Sequence, residues 1–141
     1  MPEMNADEAL AFIADPVRTA KLSFTRADGQ PSVLPVWIAV DGATIVFNTG
    51  AGTAKAKAMR RDPRVAICVD DDRPPFSFAT IEGTVELIDD LDEVRRWATV
   101  IGGRYMGADR ADEFGARNGV PGELLVRLTP TRVIGFRDMS A

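Results

Sequence analysis

The sequence of 141 residues has no histidine and one cysteine, Cys68. Without histidine the chain cannot form Ser–His or Cys–His nucleophile pairs, and it lacks the commonest metal-binding side chain. A single cysteine cannot close an internal disulfide, and the apolar run from Val65 to Val69 around it is typical of a small buried side chain. The three carboxylates at 70–72 diverge in a turn. These features disfavour the classical hydrolases, and we expect no metal site.

The sequence also lacks an apolar run long enough to cross a bilayer, and its first sixteen residues have neither the basic start nor the apolar core of a signal peptide. The formal net charge of -4 provides no general positive field for nucleic acid. We therefore expect a soluble, cytoplasmic protein that binds neither membranes nor nucleic acids. Its length, with 45% hydrophobic and 27% charged residues, predicts one globular domain over residues 1–141.

What the sequence does contain is a series of short β-rich runs separated by turn dipeptides such as Asp28-Gly29. The predicted strands are Thr19–Arg26, Ser32–Val40, Thr44–Thr49, Arg64–Val69 (buried on both faces), Phe76–Ile88 with a bend at Gly83, Leu124–Leu128 and Arg132–Phe136. The predicted helices are Asn5–Ala14, Thr53–Arg61 and Leu91–Arg104, with further turns to Arg117. Six or seven antiparallel strands with inserted helices predict a mainly β fold, a small closed barrel with peripheral helices, because closure removes exposed sheet edges.

The segment FNTGAGTAKAKAMRRDPRV, residues 47–65, combines a glycine turn with a cluster of basic side chains. Gly50 and Gly52 let backbone N–H groups approach a ligand, and the start of a helix attracts anions. The pattern is not a Walker loop, because Lys55 follows alanine rather than glycine, and it lacks the third glycine of a dinucleotide fingerprint. Taken alone, the glycines and an N-cap at Thr53 are equally typical of a tight connection.

Lys55 and Lys57 fall in the first turn of the predicted helix, where the helix dipole disfavours cations. A bound anion would reverse this cost. Since residues two apart on a helix point in nearly opposite directions, we expect Lys55, with the Thr53 hydroxyl, to meet a phosphate. Lys57, Arg60, Arg61 and Arg64 would then form a more exposed basic rim, with solvated charges and no ligand as the alternative.

The sequence resembles the split β-barrel flavin and deazaflavin oxidoreductases, which include the pyridoxamine phosphate oxidase-like enzymes. The residues that carry this resemblance are Pro35-Val36-Trp37, Phe47-Asn48-Thr49 leading into Gly50 to Lys55, Arg61 to Val65, and Ile81-Glu82-Gly83. The resemblance implies an antiparallel split β-barrel of six to seven strands in which Thr53 and Lys55 bind the phosphate of a flavin-type cofactor. It also implies a homodimer, with the planar ring lying against Leu34, Pro35, Val36 and Trp37 in a cleft between the subunits.

The flavin mononucleotide (FMN) branch of this family typically offers an Arg and a Lys from the second strand, and these positions are Ser32 and Trp37 here. Pro-Val-Trp is similar to the deazaflavin branch, which uses coenzyme F420, a hydride carrier with a phosphodiester and an acidic oligoglutamate tail. The basic rim would then meet that tail. The implied cofactor is therefore F420, with FMN as the alternative.

The resemblance implies hydride transfer between reduced F420 and an electron-poor organic acceptor, such as an activated alkene, a quinone or a bilin-like molecule. The alternatives are a non-catalytic F420 carrier and an FMN-dependent oxidase of the pyridoxamine phosphate oxidase type. Tyr105 is a candidate proton donor, although a phenol at a helix end is more often an anchor. Trp97 has the helical spacing of a core residue, and Trp37 either packs in the core or stacks on the ring.

Overall fold

In the computed structural model, which describes residues 2–141, the chain forms one antiparallel sheet of seven strands with four α-helices. The strands are β1 (Ala20–Thr25), β2 (Pro31–Val36), β3 (Ala39–Asp41), β4 (Thr44–Gly50), β5 (Arg64–Asp71), β6 (Ser77–Ile88) and β7 (Glu123–Phe136). The helices are α1 (Ala6–Ala14), α2 (Ala54–Arg61), α3 (Leu91–Met106) and α4 (Ala111–Asn118), with a 3₁₀ turn at Ala108–Arg110. The predicted mainly β class with peripheral helices is confirmed.

The strands lie in the order β2-β1-β5-β6-β7-β4-β3. Within residues 2–141 the end strands β2 and β3 do not pair with each other, so the hydrogen-bonded sheet is open where the sequence predicted full closure. Strand β2 suits an edge because Pro31 and Pro35 have no N–H to donate to a further strand.

The predicted strand 32–40 is interrupted between β2 and β3 at Trp37 and Ile38. The N–H of Ile38 donates to the hydroxyl of Tyr105 at 3.1 Å instead of joining a ladder. The prediction of one strand was therefore wrong, because a side chain of α3 takes the backbone donor that would continue it. The break places Pro35 and Val36 at the end of an edge strand, with Trp37 directly after it.

Strand β7 is continuous, although two strands were predicted in its place. Its register against β6 shifts from Glu82↔Arg132 to Gly83↔Pro130, which absorbs the interruption as a bulge. A β-carbon built on Gly83 would lie 2.1 Å from the carbonyl oxygen of Thr129. The bend predicted at Gly83 is confirmed, and only glycine leaves room for the partner backbone.

Strand β5 has one buried face, formed by Val65, Ile67 and Val69, while Ala66 and Cys68 on the other face are only half-buried. The prediction that both faces and Cys68 are buried was therefore wrong for this chain. The apolar run does not reveal this difference, because alanine and cysteine suit either environment. The outer face borders an open groove, whereas the inner face packs into the main core.

The main core joins buried side chains of the sheet with Ala9, Leu10 and Ile13 of α1. A second cluster lies beneath α3, where Trp97 is 6% exposed and packs with Val46 and Leu125. The core position predicted for Trp97 is confirmed. This packing fixes α3 across β4 and so sets one wall of the candidate site described below.

Helices α3 and α4 pack closely because glycines lie where they meet. A β-carbon on Gly102 would be 2.2 Å from Cβ of Phe114, and one on Gly115 would be 2.0 Å from Oγ1 of Thr99. None of the helices in residues 2–141 is long and apolar enough to span a membrane.

Candidate functional site

Helix α2 begins at the glycine turn after β4, and Thr53 is its N-cap. The Thr53 hydroxyl accepts a hydrogen bond from the N–H of Ala56 at 3.2 Å and donates to the carbonyl of Gly50 at 2.8 Å. It also lies 3.2 Å from the hydroxyl of Thr49, which is 4% exposed. The hydroxyl proton of Thr53 is donated to the carbonyl of Gly50, so Thr53 can donate to a phosphate only when that hydrogen bond is broken. Its direct bond to a phosphate therefore stays a prediction.

The first turn of α2 has no acidic residue and carries Lys55, whereas every other α-helix in residues 2–141 has two acidic residues there. Those acidic pairs are Asp7 and Glu8, Asp92 and Glu93, and Asp112 and Glu113. Within the described chain the N–H groups of Ala54 and Lys55 have no acceptor. Two free amides, the positive end of the helix dipole and a lysine therefore occur in one helical turn, an arrangement that favours an anion.

Lys55 lines a cavity of about 230 Å³. The other lining residues are Pro35, Val36, Trp37, Asn48, Ala98, Ile101, Gly102 and Asn118. The Lys55 side chain is half-buried, and none of the carboxylates in residues 2–141 lies within ion-pair distance of it. Lys57 is exposed, as expected for a residue about 200° further around the helix. The wall of this cavity thus combines apolar side chains with polar groups, and it has one unpaired cation at the start of α2.

The aromatic part of the wall is built around Trp37. Its ring is stacked on that of Tyr105, with the centroids 5.0 Å apart and the planes at 4°, and it meets Phe114 edge-on at 5.9 Å. Offset stacking and edge contacts of this kind stabilise aromatic clusters. Trp37 therefore joins the second core cluster with one part of its ring while lining the cavity with another, so both of its predicted roles stay open.

The Tyr105 hydroxyl is used entirely by the backbone. It donates to the carbonyl of Arg18 at 2.7 Å and accepts from the N–H of Ile38 at 3.1 Å. Tyr105 does not line the cavity of Lys55. This geometry favours the anchoring role over the proton-donor role that the sequence left open.

The residues of the predicted basic rim do not share one environment. Arg60 donates to the carbonyl of Ala51 at 2.9 Å and lines a separate cavity of about 390 Å³, which also contains Asp89 and Glu123. Lys57 and Arg61 are exposed, and within residues 2–141 neither has an ion-pair partner. Within residues 2–141, Lys57 and Arg61 are therefore the two members of the predicted rim that have neither a side-chain hydrogen bond nor an ion pair.

Arg64 does not contribute to a free rim, because it is bound to Asp62. Its Nε and Nη2 donate to the carboxylate at 3.0 and 2.9 Å. These hydrogen bonds lower the pKa of Asp62 to about 2. Asp62 is the C-cap of α2, so this pairing lies at the end of the helix. Because Arg64 is already bound to a carboxylate, it is poorly placed to bind an acidic tail.

Among the remaining predicted residues, Leu34, Gly50 and Gly52 shape the site rather than line it. Leu34 packs against the main core, and Gly50 and Gly52 form the turn before α2. Asn48 does line the cavity, and its amide donates to the carbonyl of Val94 at 3.3 Å, which ties β4 to α3. Sequence reasoning missed the lining residues of α3 and α4 because the apolar periodicity of α3 marks a packed face without saying what it faces.

Comparisons with known proteins give a consistent picture. The profile of a protein family described as "Pyridoxamine 5'-phosphate oxidase" matches residues 6–136. Among solved structures, the chain is similar to a conserved hypothetical protein from Mycobacterium tuberculosis, with 26% identity, a TM-score of 0.85, and 98% of this chain and 89% of that chain covered. It is also similar to an F420 reductase, with 25% identity, a TM-score of 0.68, and 87% and 93% coverage.

A FAD-binding protein from Mesorhizobium loti has the same fold, with 19% identity, a TM-score of 0.70, and 95% of each chain covered. At this identity the similarity extends to the fold alone. A search of curated proteins gives no match.

Proposed function

Because this chain belongs to the pyridoxamine 5'-phosphate oxidase family, we propose that it is an F420-dependent oxidoreductase. In this proposal it transfers a hydride between reduced F420 and an electron-poor organic acceptor, such as an activated alkene, a quinone or a bilin-like molecule. The family supports a flavin-type cofactor, and the similarity to an F420 reductase supports the deazaflavin.

The observation that carries the proposal is the position of Lys55. Lys55 lines a cavity that has both apolar and polar walls, at a helix start that has free amides and no carboxylate. A cation costs free energy at this end of a helix unless an anion is bound there. A phosphate attached to a planar ring satisfies both parts of the cavity, with the phosphate at α2 and the ring along Pro35, Val36 and Trp37.

The small volume of the cavity supports the proposal that a second chain completes the site. Its volume of about 230 Å³ is below the roughly 300–1,000 Å³ typical of small-molecule sites. The nearby edge strand β2 is open to a partner, since Val33 is 66% exposed. We therefore propose a homodimer in which each chain supplies the phosphate end and one wall of a shared cleft.

When bound, F420 supplies the hydride, so the protein has to bind, orient and desolvate rather than to form a covalent intermediate. Lys55 and the amides of α2 would hold the phosphate, and the Pro35–Trp37 wall would orient the ring. The cavity lining has no carboxylate, and the Tyr105 hydroxyl is occupied. The proton that completes the reduction would then come from solvent.

Two alternatives have specific support. The family described as "Pyridoxamine 5'-phosphate oxidase" keeps an FMN-dependent oxidase of this type as an alternative. However, Ser32 and Trp37 stand where the FMN branch offers cations, and Trp37 is packed against Tyr105. The absence of an acid from the cavity lining favours a carrier that binds F420 without turnover. Both alternatives keep the same cavity and differ in cofactor or chemistry.

A side-by-side titration with F420 and FMN, followed by fluorescence, tests the cofactor. Saturable binding of F420 at one per chain, with much weaker binding of FMN, is the expected result, and tight FMN binding alone would overturn the F420 assignment. Turnover is then measured as loss of reduced F420 across a panel of alkenes, quinones and bilins. Binding without consumption of reduced F420 by any acceptor would favour the carrier.

The exposed cations provide a further test of F420. If Lys57 and Arg61 meet the acidic tail, neutralising both should flatten the dependence of affinity on tail length and on salt. Equal binding of long-tailed and short-tailed F420 to the unmodified protein would contradict this role.

A further inference from the structure

Asn118, the last residue of α4, lines the Lys55 cavity and is half-buried. Its carboxamide has no hydrogen-bond partner within residues 2–141. It is therefore a polar side chain at the cavity wall whose donors and acceptor are unused by the described chain.

The local backbone does not explain an asparagine at this position. At helix ends asparagine is favoured where φ is positive, but among residues 2–141 the non-glycine residues with positive φ are Phe76 and Asp138. Asn118 also makes no side-chain bond to the helix end, which is the other common local reason for asparagine. In a helix asparagine is a poorer choice than alanine. A hydrogen-bonding role toward the cavity explains the asparagine at this position, which the local helix geometry does not explain.

The structure holds this residue firmly in place. The next residue, Gly119, donates its N–H to the carbonyl of Gly115 at 2.8 Å. A β-carbon on Gly119 would lie 2.6 Å from Cβ of Arg95, so α4 ends directly against α3. The backbone that carries the carboxamide is thus positioned by packing before any ligand arrives, which lowers the entropic cost of binding.

The chemistry of the side chain identifies the group that it suits. A carboxamide presents an N–H donor and a carbonyl acceptor side by side, whereas Lys55 only donates. The other carboxamide of the lining, Asn48, already donates to Val94. An imide or lactam edge, in which a ring N–H adjoins a ring carbonyl, is complementary to a carboxamide through two parallel hydrogen bonds. Flavins and deazaflavins end in such an edge.

We infer that Asn118 binds the imide edge of the planar ring that lies against Pro35, Val36 and Trp37. The carboxamide N–H donates to a ring carbonyl, and its oxygen accepts from the ring N–H. This inference rests on the proposed function, because it takes the ring of the same cofactor as its ligand. It adds a residue of α4 that recognises the ring, in the same cavity that Lys55 lines.

The test combines a side-chain change with a ligand change. The probes are F420 and a deazaflavin methylated on the imide nitrogen, and binding is measured by fluorescence titration. The unmodified protein should bind the methylated probe about tenfold more weakly, and Asn118→Ala should weaken binding of the parent deazaflavin by about the same factor. In Asn118→Ala the two probes should bind alike, because the bond that the methyl group blocks is already lost.

The outcomes separate the two proposals. Failure of the unmodified protein to bind F420 overturns the proposed function. Tight F420 binding combined with equal discrimination against the methylated probe in the protein and in Asn118→Ala overturns the role of Asn118 alone. Asn118→Leu, which is similar in size and apolar, gives the same test if the alanine variant is unstable. Asp112→Ala, exposed on the same helix, is the matched control and should leave both affinities unchanged.

Discussion

Replacing Lys55 by alanine tests the central claim about the site most directly. A hydrogen bond to a charged group contributes about 1.5–3 kcal/mol, and the half-buried position of Lys55 places it toward the lower end because solvent screens the charge. We therefore expect Lys55→Ala to weaken F420 binding by about 1–2 kcal/mol, or roughly 5- to 30-fold in Kd. Folding should not suffer, since removing a cation from the first turn of a helix stabilises it by a few tenths of a kcal/mol.

The assay is a fluorescence titration with F420, accompanied by urea unfolding of each variant. Lys21→Ala is the matched control, because it removes the same charge from β1, where the side chain pairs with Asp70 and lies outside the cavity. Its affinity should fall by less than about twofold at physiological salt. Unchanged affinity in Lys55→Ala, or an equal loss in the two variants, would refute the claim that Lys55 holds the phosphate.

Three further changes test the structural assignments. Tyr105→Phe should lower the free energy of unfolding by about 1–3 kcal/mol, because it leaves two backbone groups without their partner. Turnover per folded protein should not change. A large loss of turnover would restore Tyr105 as the candidate proton donor. Hydrogen bonds from Arg64 lower the pKa of the Asp62 carboxyl to about 2. The ionised carboxyl therefore stabilises the fold above its unfolded pKa near 4, and this contribution is lost as the pH falls toward 2. An NMR titration should place the midpoint of Asp62 near 2, and Arg64→Ala should raise that midpoint. Gly83→Ala should destabilise the protein by about 1–3 kcal/mol in urea unfolding, because its β-carbon would overlap the carbonyl of Thr129.

Local patterns predicted most of the fold. The alternation of 76–88 and the spacing of 91–104 indicated β6 and α3 to within two residues, because each element has one clearly apolar face. The predictions failed where groups distant in the sequence determine where a strand ends or how strands join. Tyr105 takes the N–H of Ile38 and ends a strand that its own residues would continue. The bulge opposite Gly83 joins two predicted strands into one, and the open edge of β2 is a property of the whole sheet.

For the candidate site, the sequence identified the half that depends on local chemistry. Lys55 stands out because a cation in a first turn contradicts the helix dipole, and that contradiction is visible in the chain itself. The contribution of Asn118 is not visible, because only the packing of α4 on α3 brings it to the same cavity. Arg60 and Arg64 show the opposite error: they are neighbours of Lys55 along the chain, yet one lines another cavity and the other is bound to Asp62.

The glycine contacts between α3 and α4 bear on how the cavity beside them can change its shape. With Gly102 against Phe114 and Gly115 against Thr99, neither helix can shift without carrying the other. Enlarging the cavity by trimming one side chain would therefore gain little room. A change in the length of the loop at 119–122, which joins α4 to β7, would alter the cavity more readily, because it sets where the paired helices rejoin the sheet.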